Sequence, residues 1–461
     1  MSCLAIKNTE MTETRKKFDT IIVGMGNTGL SCARFLSERK VCFAMVDSRK
    51  TPPLQHAIET DFPEVPLFTG GFDSALLSHS DSLLLSPGVS IHEPAIINAI
   101  NAGVSVYGDI ELFCRHINSP VIAVTGSNGK STVTTMVAEM ARTAGISVGV
   151  GGNLGPPALD LLKKPEPELY ILELSSFQLE TVSSLNAVAA VVLNITEDHM
   201  DRYSSLDEYA RTKSRIYSGN GVMVLNLDDP MVNGMRREGR RISGYTLSDP
   251  GEDIYGVRKY ADTEWIVYGN EKIIPTGKLL IPGSHNISNA LAALALCNVL
   301  KLPQAAVTQV LMKFPGLPHR CQMIAEFNGI TWINDSKGTN VGAACAAITG
   351  LAGNKNIVLI AGGDGKGADF FLLSEVAKEH LHAAVLIGRD GPRIKNVLQS
   401  SIPVIDAIDM NAAVTAAANI ARRGDLVLLS PACASYDMFD DYQARGEAFI
   451  QSVNKMVNKH G

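Results

Sequence analysis

The 461-residue sequence predicts an α/β protein of three domains. Short apolar runs ending in glycine alternate with helical patterns along most of the chain. Two glycine-rich strand-to-helix turns, "GMGNTG" and "TGSNGKST", fall in different parts of it, and the prolines and glycine of "KFPGLPHR" (313 to 320) mark a linker ahead of a third such series.

The N-terminal "MSCLAIKNTEMTETRKKFDT" has no sustained apolar core before a small-residue cleavage site. It does not read as a secretory signal, so a cytoplasmic protein is expected. In residues 1–118 the runs "TIIVG", "CFAMVD" and "SLLLSPG" predict a small Rossmann-like domain. Gly24, Gly26 and Gly29 follow its first strand in the GxGxxG arrangement, and Asp47 ends the next strand, where a ribose-binding acid would sit. Alone, this fits a nicotinamide oxidoreductase. A UDP-linked substrate carries the same pyrophosphate, however, and a packing turn without ligand has the same pattern.

Residues 119–316 predict a central P-loop ATPase domain with strands at "IAVTG", "YILELS" and "AAVVLNI", a β-prone stretch from about 242 to 276, and a long helix at "HNISNALAALALCNVL". After "VTGSNG", Val133, Met136, Val137, Met140 and Ala144 keep helical spacing, so a helix starts near Lys130. Free amides at its start favour an anion, Lys130 adds a mobile charge for outer phosphates, and the Ser131 or Thr132 hydroxyl suits a phosphate-bound Mg²⁺. The glycines are separated by two residues where the usual phosphate loop has four. Glu173 and His199 each follow a strand and are expected to face this loop from neighbouring strand ends. Lys213 shares a helical face with Tyr209, Ala210, Ile216 and Tyr217. It either snorkels to water or is buried, where a lowered pKa leaves an amine able to react with CO₂.

Residues 317–461 predict a Rossmann-like C-terminal domain from "IVLIAGGDGKG", "AAVLIGRDG" and "LVLLSPA". A net charge of −6 argues against a nucleic-acid partner. No apolar stretch approaches the roughly 18 residues of a membrane span. Cys3, Cys32, Cys42, Cys114, Cys297, Cys321, Cys345 and Cys433 form no CxxC pair and are expected as reduced, buried thiols.

Taken together, "GDIELF" (108 to 113), "TGSNGKST" (125 to 132), "GGNLG" (151 to 155), "LELSSFQLE" (172 to 180), "LNITEDHMDRY" (193 to 203), "GLPHR" (316 to 320), "NDSKGTN" (334 to 340), "GGDGKGADF" (362 to 370) and "LLSPACAS" (428 to 435) resemble the Mur ligases, from about residue 20 to the C-terminus. That family's ATP loop has the short spacing. The resemblance implies an ATP-dependent ligase in cytoplasmic peptidoglycan precursor synthesis, in which ATP phosphorylates the L-alanyl carboxylate of UDP-N-acetylmuramoyl-L-alanine and D-glutamate attacks the acyl phosphate. It reassigns the first glycine loop to UDP, with Asn27, Thr28, Asp47, Ser48 and Arg49, and Pro87 and Gly88 at the same end. For ATP it implies Gly126, Ser127, Asn128, Gly129, Lys130, Ser131 and Thr132, with Asn286, Asn289, Arg320 and Asp335 at adenine and ribose. Two Mg²⁺ ions are implied, held by Ser131, Glu173, His199 and a carbamylated Lys213, with Asn153 and His199 toward the UDP-linked substrate's reacting end. D-glutamate recognition falls on Lys337, Thr339, Lys366, Ser435 and Tyr442. Helix capping is the alternative role for Asn286. Gly338 departs from the alanine the resemblance leads one to expect between Lys337 and Thr339. A sibling of the same superfamily, adding another amino acid, remains a competing reading.

Overall fold

The computed structural model describes residues 18–162, 165–281, 283–351, 353 and 355–460. Residues 1–17, with Cys3, lie outside them. The described residues form three sheets. The first is parallel throughout, in the order Leu67–Thr69, Phe43–Asp47, Phe18–Val23, Ser80–Leu85, Ser105–Gly108. Its order reverses at Phe18–Val23, so a crevice opens at the carboxyl end of that strand, at the glycine turn.

Nine strands form the second sheet. Val121–Thr125 lies between Leu169–Glu173 and Ala189–Val192, all parallel, with Val148–Gly152 at the edge. Glu173 and the segment after Val192 therefore emerge on either side of the phosphate loop. On the far side the sheet continues through Val222–Asn226 and Ile242–Tyr245. The β-prone stretch becomes Ile242–Tyr245 and an antiparallel meander of Ile254–Tyr260, Thr263–Tyr268 and Glu271–Pro275. The third sheet is ordered Gln322–Phe327, Ile330–Asn334, Leu426–Leu429, Ile357–Gly362, Leu381–Ile387, Val404–Asp406, its first strand antiparallel to the second. It holds the three expected strand-to-glycine units and three further strands.

The central parallel strands Val121–Thr125, Leu169–Glu173, Ala189–Val192 and Ile357–Gly362 are buried on both faces, as their continuous apolar runs require, whereas the edge strands Leu67–Thr69 and Val404–Asp406 are largely exposed. The first two sheets share a core through the helix Asp109–Cys114. Phe113 packs edge-on against Tyr170 at 5.0 Å, and Glu111 accepts the backbone N–H groups of Ser183 and Ser184 at 2.8 Å. Cys32, Cys297, Cys345 and Cys433 are buried free thiols, whereas Cys42, Cys114 and Cys321 are partly exposed, a correction to the expectation that all are buried. Among the described residues no helix is long and apolar enough to cross a membrane.

Candidate active site

The strand Val121–Thr125 leads through residues 126–129 into the helix Lys130–Thr143. Gly129 is the N-cap at φ +82°, and a Cβ there would stand 2.3 Å from Asn289 Oδ1, so glycine is required both for the left-handed turn and for the close approach of the Ser284–Val299 helix. No side chain caps the Lys130 helix, which leaves its first amides available to an anion. The Lys130 amine rests on the carbonyls of Gly126 and Ser127, both at 2.9 Å. The loop is braced by the segment that follows the neighbouring strand. Asn128 N donates to Asn194 Oδ1 at 2.8 Å, and Ser127 Oγ donates to the Thr196 carbonyl at 3.0 Å.

One cleft brings together Lys130, Ser131, Asn153, Glu173, His199, Lys213, Lys337, Thr339, Lys366, Ser435 and Tyr442, from the helices and loops around the second and third sheets and, for Glu173, from a strand end. Glu173 is 2% exposed. Its Oε1 accepts from Asn153 Nδ2 at 2.6 Å, while Oε2 is buried without a partner among the described residues. His199 sits at φ +57°, an uncommon conformation for a non-glycine residue. Burial, reinforced by Lys366, Lys130 and Lys213, brings its pKa down to about 4 against the opposing pull of Asp198, so its ring is neutral at neutral pH. Lys213 is 1% exposed and does not snorkel. Its amine donates to the Gly126 carbonyl at 3.0 Å and stands 4.7 Å above the Tyr209 ring. Burial, with the nearby Lys130 charge, holds its pKa well below the ordinary lysine value. Burial, helped by Arg320 and Lys130, also lowers Lys337 to about 8. Its amine lies 3.9 Å over the Tyr442 ring.

Asn286, Asn289, Arg320 and Asp335 meet Thr132 in an adjoining cavity floored by the phosphate loop. The N-cap of the Ser284–Val299 helix is Gly283, so Asn286 is not its cap. Arg320 Nη2 donates to Ser131 Oγ at 2.6 Å. Burial raises Asp335 to about 6 although Ser430 Oγ donates to it at 2.7 Å.

Asn27, Thr28, Asp47, Ser48, Arg49, Pro87 and Gly88 line a separate cleft at the first glycine turn, which also reaches Asn153. Gly29 is needed there because a Cβ would fall 1.9 Å from the Gly24 carbonyl oxygen. Asp47 is tied into the turn itself. Its Oδ2 accepts Met25 N at 2.8 Å and Arg49 Nη2 at 2.7 Å, and its Oδ1 accepts Arg49 N and Nε, both at 2.9 Å. Against the upward push of burial, these bonds hold its pKa at about 2. Asp47 thus braces the glycine turn and aims Arg49.

Three family models cover the chain in this order: Mur ligase MurD-like, N-terminal domain, over residues 18–108; Mur ligase middle domain, over 124–297; and Mur ligase, glutamate ligase domain, over 319–433. The UDP-N-acetylmuramoylalanine--D-glutamate ligase of Nitrosococcus oceani is 51% identical over 439 residues, 95% of this chain and 97% of the relative. The chain belongs to the Mur ligase family. The Methylococcus capsulatus enzyme of the same name is 48% identical, with 95% of each chain covered. Two solved structures share the fold at low identity. The UDP-N-acetylmuramate-alanine ligase MurC of Thermotoga maritima has a TM-score of 0.59 at 19% identity, over 95% of this chain and all of that one. MurF ligase of Thermotoga maritima, solved in complex with ADP, has 0.59 at 16%, over 97% and 96%.

Within this Mur ligase two residues that sequence reasoning did not single out, Asp198 and Asn340, join the phosphate-loop cleft. Asp198 Oδ1 accepts Lys366 Nζ at 2.8 Å, and its Oδ2 accepts Asn340 Nδ2 at 3.2 Å. Asn340 Nδ2 also donates to Asn128 Oδ1 at 3.2 Å. Adjacency to His199 was the available signal for Asp198. Asn340 closes the quoted "NDSKGTN" and carried no signal of its own, because its partners lie 142 and 212 residues away.

Proposed function

We infer that this chain is an ATP-dependent amide ligase that joins D-glutamate to UDP-N-acetylmuramoyl-L-alanine in peptidoglycan precursor synthesis. The observation that carries this reading is the position of Asn153. It lines both the glycine-turn cleft and the phosphate-loop cleft and donates to Glu173. A substrate held by its uridine diphosphate end in the first cleft would present its carboxylate in the second. The full-length relatives at 46–51% identity share that activity by name.

Amide formation from a carboxylate needs a leaving group. The terminal phosphate of ATP transfers to the alanyl carboxylate, releasing ADP. The free D-glutamate amine then attacks the acyl phosphate carbon, the C–N bond forms as the C–O bond to phosphate breaks and phosphate leaves, and the nitrogen gives up one proton and keeps the other as the amide N–H. Both steps crowd anions together, so fixed positive charge is the main catalytic requirement. Lys130 and the free helix amides face the ATP phosphates, with Arg320, Asn286, Asn289 and Asp335 toward adenine and ribose. Asn153 orients the reacting carboxylate. Lys337, Thr339, Lys366, Ser435 and Tyr442 receive D-glutamate, whose two carboxylates suit the lysines and hydroxyls.

The unpartnered Glu173 Oε2 and the neutral His199 ring fit a hard divalent cation beside the phosphates. Ser131, Glu173, His199 and Lys213 as its carbamate are proposed to hold two Mg²⁺ ions, which would neutralise phosphate charge. Residues 1–118, 119–316 and 317–461 are proposed as the UDP-substrate, ATP and amino-acid domains of a cytoplasmic enzyme.

The test measures ADP release from ATP and UDP-N-acetylmuramoyl-L-alanine with single amino acids added. D-glutamate alone should trigger turnover. Release triggered by L-alanine on the unsubstituted UDP-muramoyl substrate would identify a sibling activity instead.

A further inference from the structure

The proposed substrate must be held at both ends, and one side chain ties the two clefts together. Arg202 follows His199 in the same turn, its backbone N–H donating to the His199 carbonyl at 2.9 Å. Its guanidinium crosses to the first domain and donates to the carbonyls of Pro87 at 3.3 Å and Val89 at 3.1 Å, in the loop that lines the glycine-turn cleft. That loop is itself tied to the turn, since Ser86 N donates to the Val23 carbonyl at 2.9 Å and Ser86 Oγ to the Gly24 carbonyl at 3.3 Å.

The guanidinium has little freedom to move. Glu180 accepts it twice, Nε to Oε1 at 3.1 Å and Nη2 to Oε2 at 2.5 Å, and Tyr203 OH donates to Glu180 Oε1 at 2.8 Å. The Arg202 and Glu180 side chains are only 12% and 10% exposed. Arg202 also stacks on Phe177 at 4.4 Å, and that ring in turn packs against His199 at 4.7 Å and Tyr203 at 6.2 Å. A bidentate, stacked and largely buried arginine is a rigid strut.

Resting on the ligase reading above, we propose that Arg202, held by Glu180, is a positioning residue that fixes the distance between the nucleotide cleft and the reacting end of the UDP-linked substrate. It touches neither ATP nor the reacting atoms. Its contribution is to make binding of the two ends of one molecule mutually reinforcing, because the second end binds at a high effective concentration only if the two sites are held at the right span.

This separates from a general structural role in a binding experiment on the intact protein. Calorimetry would compare UDP, UDP-N-acetylmuramoyl-L-alanine and a non-hydrolysable ATP analogue. In the wild type the full substrate should bind more tightly than UDP. Arg202→Ala should keep UDP and ATP-analogue affinities within about twofold and weaken the full substrate about tenfold or more, with a matching rise in KM. Arg202→Lys, which keeps the charge but loses the fork, should recover part of the loss. Should Arg202→Ala fold poorly, Glu180→Gln keeps the volume and weakens the strut, and it should shift the same ratio in the same direction. An unchanged substrate-to-UDP ratio, or equal weakening of both ligands, would overturn the proposal. Failure of the wild type to bind the UDP-linked substrate more tightly than UDP would count instead against the ligase reading.

Discussion

Lys213 is where a single side chain decides most. Its methylenes belong to an apolar face, yet its amine is drawn inward to the Gly126 carbonyl and the Tyr209 ring. Burial there favours the neutral amine, which is the form that reacts with CO₂, and a carbamate would supply anionic oxygen beside Glu173 and His199. Lys213→Ala is expected to lower kcat about a hundredfold or more, the scale of losing one preorganised charged group. Acetate or formate should restore part of the activity in proportion to its concentration, because a small carboxylate can enter the space left behind. Methylamine at equal ionic strength should not. If the amine rescues and the carboxylate does not, Lys213 acts as an ammonium. The sequence left this residue between two roles, because helical spacing marks which face it occupies and says nothing of whether a cavity lies beyond that face.

The helix Asp109–Cys114 shows what element-level reading can and cannot reach. Its sequence predicts the end of the first domain, but its side chains complete a core shared with the second sheet. Asp109 is 1% exposed, and its Oδ1 is buried without a partner among the described residues. Burial raises its pKa to about 6, against hydrogen bonds from the Ile110 amide and Gln178. A carboxyl whose pKa is higher folded than unfolded binds more protons in the native state between roughly pH 4 and 6, so stability falls as pH rises through that window, by about 2–3 kcal/mol in all. Asp109→Asn removes that charge. The melting temperature of the variant relative to wild type should therefore become more favourable between pH 4.5 and 7.5, whereas a pH-independent difference would show that the buried charge carries no such penalty. The strands, both glycine turns and the Lys130 helix were legible because their signals are local, in strand-to-glycine order and 3.6-residue spacing. The contacts of Glu111 with Ser183 and Ser184 were not, because they depend on strand order across 72 and 73 residues.

At the scale of the molecule, polar side chains of the third domain meet the phosphate loop and the segment after Ala189–Val192: Arg320 to Ser131, Asn340 to Asn128 and Asp198, and Lys366 to Asp198. The motifs containing Arg320, Lys337 and Lys366 were legible in the sequence, but their convergence on one cleft with Glu173 and His199 follows from how the third sheet docks on the second. Lys366 has two claims on it. Here it pairs with Asp198, with side-chain exposures of 20% and 10%, while the proposed D-glutamate site asks it to meet a substrate carboxylate. Asp198 is held at about 2 despite burial, chiefly by the Lys366 charge and hydrogen bond, so it stays charged and competes for the lysine at any working pH. Lys366→Ala should therefore do two things. It should raise KM for D-glutamate, and it should loosen the unliganded arrangement, since truncating one partner of a largely buried ion pair costs about 2 kcal/mol or more. A shift of that size in a domain-closure equilibrium changes the closed-to-open ratio by more than tenfold, which small-angle scattering reads as a larger radius of gyration. Asp198→Asn separates the two effects. It also breaks the latch, and so should expand the free protein similarly, but it releases Lys366 to the substrate and should spare D-glutamate affinity by comparison. Equal radii of gyration for wild type and both variants would show that the ion pair does not hold the domains together, and equal KM defects would show that Lys366 has no separate part in binding the amino acid.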